Sequence, residues 1–136
     1  MTIYTDGSCI NNPGPGCYGA IQIINNNYKI LFTRTIKHTT NSKMELLAVL
    51  MCMIKFPSTK KTIYTDSKYI VNGFNNWMHN WNDKKWSKQI KHRSLWKLIY
   101  FFKNNTVIDW VKGHSDNTYN NIIDRIVYET NKDTWN

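Results

Sequence analysis

Four of the nine acidic residues in this chain stand where a lone carboxylate is out of place. Asp6 and Asp66 each close a β-rich run, within YTDGS and YTDSK; Glu45 is the one charge in the apolar run MELLAVLMCMI; Asp124 lies among Ile122, Ile123 and Ile126. Taken singly, each fits a turn, a cap or a local ion pair. Neighbouring parallel strands, however, bring their C-terminal ends to one edge of an α/β sheet, so Asp6 and Asp66 are expected to meet, with Glu45 and Asp124 as third and fourth members. Converging carboxylates raise one another's pKa unless a hard cation neutralises them. An oxygen-only set of this kind suits Mg²⁺ or Mn²⁺ rather than zinc. The other acids, Asp83, Asp109, Asp116, Glu129 and Asp133, read as solvated or as polar positions of ordinary elements.

The elements that must position these acids can be read from hydrophobic period and turn chemistry. Residues 1–9, about 17–24 and 28–37 alternate as three strands, joined through NNPGPG and NNN, which predicts an antiparallel meander. Thr39, Thr40 and Asn41 offer a cap for a helix from Ser42 to Lys55, which Pro57 stops. A short strand follows at 60–66, then a polar-aromatic helix from Ser67 to about Trp81 and a basic stretch at 82–93. An amphipathic helix at 94–103, a fifth strand at 106–111 and a last helix from about Thr118 to Thr130 complete the chain. The order βββαβααβα predicts a mixed α/β layer fold in one domain spanning 1–136.

Composition narrows the partner. Eighteen Lys and Arg against nine Asp and Glu leave a net charge of +9, and six Trp with eight Tyr interleave the basic residues. Such a surface favours nucleic acid over a membrane. Three cysteines without metal-type spacing argue against a disulfide framework and for a reducing, intracellular compartment such as the cytoplasm. The 44–54 run is too short to cross a bilayer, and no cleavable export segment precedes the first strand.

Four motifs then carry a specific resemblance. TDGSCINNPGPGCYGA (5–20), TTNSKMELLAV (39–49), YTDSKYIVNG (64–73) and WVKGHS with NNIID (110–124) closely resemble type 1 ribonuclease H, in order and over nearly the whole chain. The resemblance implies a five-stranded mixed sheet, three strands antiparallel and the rest parallel, flanked by helices. It implies that Asp6, Glu45, Asp66 and Asp124 bind two Mg²⁺, Mn²⁺ being a possible substitute, and that His114 is a mobile-loop histidine of the catalytic set. The implied activity is hydrolysis of the RNA strand of RNA/DNA hybrids, leaving 5′-phosphate and 3′-hydroxyl ends. Gly7, Ser8, Cys9, Asn12, Asn41 and Ser42 match positions that touch the RNA strand, where 2′-hydroxyls mark RNA. Thr40, Asn120 and His38 match a pocket for a DNA phosphate, His38 standing where the family commonly has Arg, and Tyr69 and Trp77 match aromatic positions along the DNA strand. Residues 77–96 resemble a shortened basic handle, with Trp77, Trp81, Trp86 and Trp96 in matching order; Lys84, Lys85, Lys88, Lys91 and Arg93 would contact the hybrid backbone, and for Trp81 and Trp96 core packing is as open as direct contact. No obligatory protein partner and a monomeric state are expected. A hybrid-binding module without activity, a resolvase- or integrase-like nuclease on the same fold, and a domain of a reverse transcriptase polyprotein are the alternatives.

Overall fold

A computed structural model describes residues 1–135. Three antiparallel strands, β1 (Thr2–Cys9), β2 (Gly14–Ile24) and β3 (Asn27–Thr39), are followed by α1 (Asn41–Lys55) and β4 (Lys61–Thr65). A winding segment comes next: α2 (Lys68–Asn72), a π-helical turn (Gly73–Trp77) and α3 (Met78–Asp83). The chain closes with α4 (Arg93–Phe101), β5 (Thr106–Trp110) and α5 (Thr118–Trp135). The sheet order is β3-β2-β1-β4-β5, with β1, β4 and β5 mutually parallel. This is the five-stranded mixed sheet expected from the sequence.

Because β1 is central and covered on both faces, its alternation decides what lies where. Ile3 packs into the core beneath α1 with Leu46, Val49, Leu50, Ile63 and Ile99. Tyr4 faces the opposite side, with Ile123 and Val127 of α5, and stacks on Tyr64 at 4.9 Å. Asp6 shares the parity of Tyr4 and therefore points toward α5. Each buried Ile or Leu contributes about 2 kcal/mol, so both helices are fixed to the sheet that carries the acids.

Helix starts follow their caps. Thr40 Oγ1 accepts from the Lys43 N–H at 3.3 Å, Ser67 Oγ from the Ile70 N–H at 3.2 Å, and Asn117 Oδ1 from the Asn120 N–H at 2.9 Å. At the other end of α1, the buried Lys61 donates its Nζ protons to the carbonyls of Phe56 at 2.7 Å and Thr59 at 3.2 Å. This cation meets the negative end of the helix dipole and ties α1 to β4.

Three expectations shift. The turn after β1 is tighter than expected, with β2 already paired at Gly14, and α5 runs on to Trp135. There Asn131 Nδ2 donates to the Pro15 carbonyl at 3.1 Å, and Trp135 Nε1 donates to Asn131 Oδ1 at 2.9 Å. The helix expected at 67–81 is broken by the π-turn. That turn begins where Trp96 presses on the backbone: a Cβ on Gly73 would lie 2.2 Å from the indole ring. Among the described residues, no helix is long and apolar enough to cross a membrane.

Candidate active site

Asp6 lies on β1 opposite Gly19, is only 6% exposed, and leaves its Oδ2 without a hydrogen-bond partner. Glu45 reaches it because the start of α1 abuts β1: a Cβ on Gly7 would stand 2.4 Å from the Met44 carbonyl carbon and 2.5 Å from the Glu45 nitrogen. Any other residue at Gly7 would push the helix, and Glu45 with it, away from the strand. Asp66 follows the last residue of β4 and is half-buried; Asp124, also half-buried, comes from α5. The four acids thus arrive from within β1, from the end of β4 and from two helices on opposite faces of the sheet.

Their electrostatics record the crowding. Burial pushes the Asp6 carboxyl well above its ordinary range, and Asp66, Asp124 and Glu45 raise it further, Asp124 also through a carboxyl-to-carboxyl contact. Burial carries Glu45 up to about 7; a hydrogen bond from Ser67 pulls it back and the charge of Asp66 adds to the rise. Asp66 is raised by burial and by Asp124, and held down by Asn120 and His114. A buried cluster of like charges is costly unless something positive compensates it.

The neighbours of Asp66 complete the site. Asn120, 1% exposed, directs its Nδ2 to Asp66 Oδ2 at 3.5 Å. The loop after β5 lies so close that a Cβ on Gly113 would fall 2.9 Å from the same oxygen. His114 follows, exposed and with φ 51, near enough for its charge to stabilise the Asp66 carboxylate. Trp110 Nε1 donates to the Asp66 carbonyl at 3.2 Å, fixing the strand end from below. Ser67 and Gly113 escaped the sequence reading as site residues. Ser67 was visible only as a helix start, and its hydroxyl both caps α2 and holds Glu45.

Among the described residues, no three Asp, Glu, His or Cys side chains close into a cage able to hold a cation alone. Mg²⁺ sites commonly combine one or two carboxylates with waters and substrate phosphates. The oxygen-only donors, the unpartnered Asp6 Oδ2 and the mutual repulsion agree with a hard divalent cation.

Beside the acids lie the surfaces expected to carry nucleic acid. The turn bearing Ser8, Cys9 and Asn12 is stitched to α1: Asn12 Oδ1 accepts from the Asn41 N–H at 3.1 Å, and the Cys9 thiol contacts the carbonyls of Gly14 and Thr39, each at 3.2 Å. Gly7 is buried beneath that turn, while Asn41 and Ser42 sit half-buried at the helix start. His38 and Thr40 line an open cleft of about 430 Å³ with Lys43, His92 and Arg93. Asn120, grouped with them by the sequence, is not in this cleft but beside Asp66.

The handle segment folds back on the molecule. Trp77 is exposed and lies 5.9 Å from Tyr69 and 6.1 Å from Trp81, ring centre to ring centre. Trp96 is wholly buried, donating to the Tyr69 hydroxyl at 2.9 Å. Trp86, assigned to the handle, is 9% exposed and packs between Trp81 and Tyr100. Lys84, Lys85, Lys88 and Lys91 remain exposed, whereas Arg93 is half-buried and donates to the Trp86 carbonyl at 3.3 Å.

The sheet brings four acids together beside its central parallel strands, where open α/β sheets place their sites. A sequence model of the RNase H family matches residues 1–132. The chain is 41% identical over 127 residues to ribonuclease H of Pseudoalteromonas atlantica, covering 88% of this chain and 82% of that one. It is 42% identical over 135 residues to ribonuclease H of Acetivibrio thermocellus, covering 93% and 90%. Its fold is similar to the crystal structure of LC9-RNase H1, a type 1 RNase H with the type 2 active-site motif, with a TM-score of 0.82 at 24% identity over 97% of this chain and 72% of that one. The chain belongs to the ribonuclease H family and is a ribonuclease H enzyme.

Proposed function

We propose that this chain acts as one monomeric domain that cuts the RNA strand of RNA/DNA hybrids, with Asp6, Glu45, Asp66 and Asp124 holding two divalent cations, Mg²⁺ or Mn²⁺, and leaves 5′-phosphate and 3′-hydroxyl ends. The observation that carries it is the buried Asp6 carboxyl, short of a partner and pressed by three other acids. When bound, such cations supply a hydroxide nucleophile and stabilise the leaving 3′-oxygen.

The chain's own residues do the rest. Gly7 and Ser67 set Glu45 against the strand end, and Asn120 orients Asp66. His114, exposed on the loop above Asp66, moves protons or helps the product leave. The turn joining Asn12 to Asn41 follows the RNA strand, where backbone and small side chains meet 2′-hydroxyls. The DNA strand runs over Tyr69 and Trp77, with one phosphate in the cleft of His38 and Thr40, and the handle lysines grip the backbone beyond.

The test is cleavage of an end-labelled hybrid beside RNA/RNA and DNA/DNA duplexes of the same sequence, with Mg²⁺ or EDTA. Metal-dependent cutting of the hybrid's RNA strand alone, lost in Asp6→Asn and Asp124→Asn, is the expected result. Hybrid binding without cutting by the unaltered protein would overturn it.

A further inference from the structure

The buried stripe of α5 runs Asn120, Ile123, Val127, Asn131, so an amide stands at each end of an otherwise apolar face. A buried polar side chain is costly unless its hydrogen bonds are met, and an apolar residue would pack at either place with less loss. Asn120 is accounted for by Asp66. Asn131, 2% exposed, serves a different part of the molecule: its Nδ2 donates to the Pro15 carbonyl at 3.1 Å, and its Oδ1 accepts from Trp135 Nε1 at 2.9 Å. An indole N–H only donates and a carbonyl only accepts, so a single orientation of the amide satisfies both. Pro15 closes the turn after β1, where the same carbonyl accepts the Ile10 N–H at 2.8 Å. Asn12, within that turn, is tied to α1 through the Asn41 N–H. The turn is therefore held at two points, against α1 by Asn12 and against α5 by Pro15. One tie alone would leave it free to pivot.

We infer that Asn131 is a positioning residue for substrate: kept in its one orientation by Trp135, it sets the turn after β1 for the RNA strand, so that its loss weakens hybrid binding and leaves the hydrolytic step intact. The inference rests on the reading of that turn as the RNA-strand contact. From Asn120 to Asn131 a helix rises about 16 Å, so α5 holds both Asp66 and the turn at a fixed separation. A leucine at 131 removes the donor without orphaning a buried group, because Pro15 keeps the Ile10 N–H and Trp135 is 39% exposed. Stability should then hold or rise while binding falls, the reverse of what a merely structural role would give. One hydrogen bond of this kind corresponds to about two- to tenfold in Kd.

The experiment compares the unaltered chain with Asn131→Leu and with Trp135→Phe. Kd is measured in EDTA for an RNA/DNA hybrid and for a DNA/DNA duplex of the same sequence, KM and kcat are measured on the hybrid with Mg²⁺, and Tm is taken in the same buffers. Asn131→Leu is expected to bind the hybrid about two- to tenfold more weakly and the DNA/DNA duplex as before, with KM raised by the same factor, kcat unchanged and Tm equal or higher. The Ile10 amide should exchange faster with solvent in that variant. Trp135→Phe, which frees the Asn131 amide to rotate, should show the same changes at smaller amplitude. If the unaltered chain prefers the hybrid to the DNA/DNA duplex and Asn131→Leu keeps that preference in full, the inference is overturned while the reading of the turn stands. If the unaltered chain shows no such preference, the reading of the turn fails and the inference with it. Equal weakening toward both duplexes, with a lower Tm, would make Asn131 a structural residue only and overturn the inference. Should Asn131→Leu fail to fold, Trp135→Phe decides, and a preference identical to that of the unaltered chain overturns it.

Discussion

Replacing Glu45 with Gln should stabilise the metal-free protein at alkaline pH, and the size of the gain follows from the site. Burial and the charge of Asp66 hold Glu45 at about 7 against an ordinary 4.5. The folded state therefore keeps a proton that the unfolded chain has already released, so stability falls as pH rises from about 4.5 to 7 and stays low above. At 1.36 kcal/mol per pH unit, the gap from 4.5 to about 7 amounts to roughly 3 kcal/mol. Gln keeps the shape and an acceptor for the Ser67 hydroxyl while removing the charge. Unfolding in EDTA at pH 8.5 should show the variant about 2–3 kcal/mol more stable, or about 6–10 °C higher in Tm for a chain of this length. At pH 4.5 the two proteins should nearly coincide. Saturating Mg²⁺ at pH 8.5 should narrow the difference, because a cation that binds only the folded state stabilises the protein retaining the acid. An equal difference at both pH values, or a variant less stable at both, would refute the reasoning.

Other outcomes follow from neighbouring residues. Ser67→Ala removes the hydrogen bond that lowers Glu45, so the acid limb of the pH–rate profile should move to higher pH while kcat recovers at alkaline pH; a limb that stays put counts against the contact. Gly73→Ala sets a methyl against the ring of Trp96 and should cost about 1–3 kcal/mol in urea unfolding, with KM rising if the π-turn shifts Trp77. Changing Lys84, Lys85 and Lys88 together to Ala should raise KM and reduce its dependence on salt by up to about three in the log–log slope; an unchanged slope would deny these lysines contact with the backbone.

The acids were legible because each breaks a pattern: Asp6 and Asp66 follow apolar alternation in β1 and β4, and Glu45 interrupts an apolar helix, although β1 runs on past Asp6 to Cys9. Period with turn and cap chemistry placed the five strands and the helices α1, α4 and α5, but not the break between α2 and α3. The handle was less legible. Lys85, Trp86 and His92 all have positive φ, so the loop between α3 and α4 has no period to read, and the basic run gives no sign that Trp86 turns inward. The cleft was legible only in part, because it joins His38 to His92 across the sheet edge and the α4 start. Asn120, matched to a phosphate pocket by resemblance, lies on the first turn of α5 with its buried amide directed to Asp66, a contact no sequence pattern announces.

The site draws its first and last acids from positions 6 and 124, 118 residues apart, and the turn beside Asp6 is tied to α5 through Pro15 and Asn131. A ribosome adding about 5–20 residues per second needs roughly 6–24 s to cover that interval. Throughout it the central strand lacks the helix that brings Asp124, although its parallel neighbour β4 has been made by about the midpoint. On the role proposed for Asp124, cleavage competence therefore arrives late in synthesis, once the closing helix has emerged.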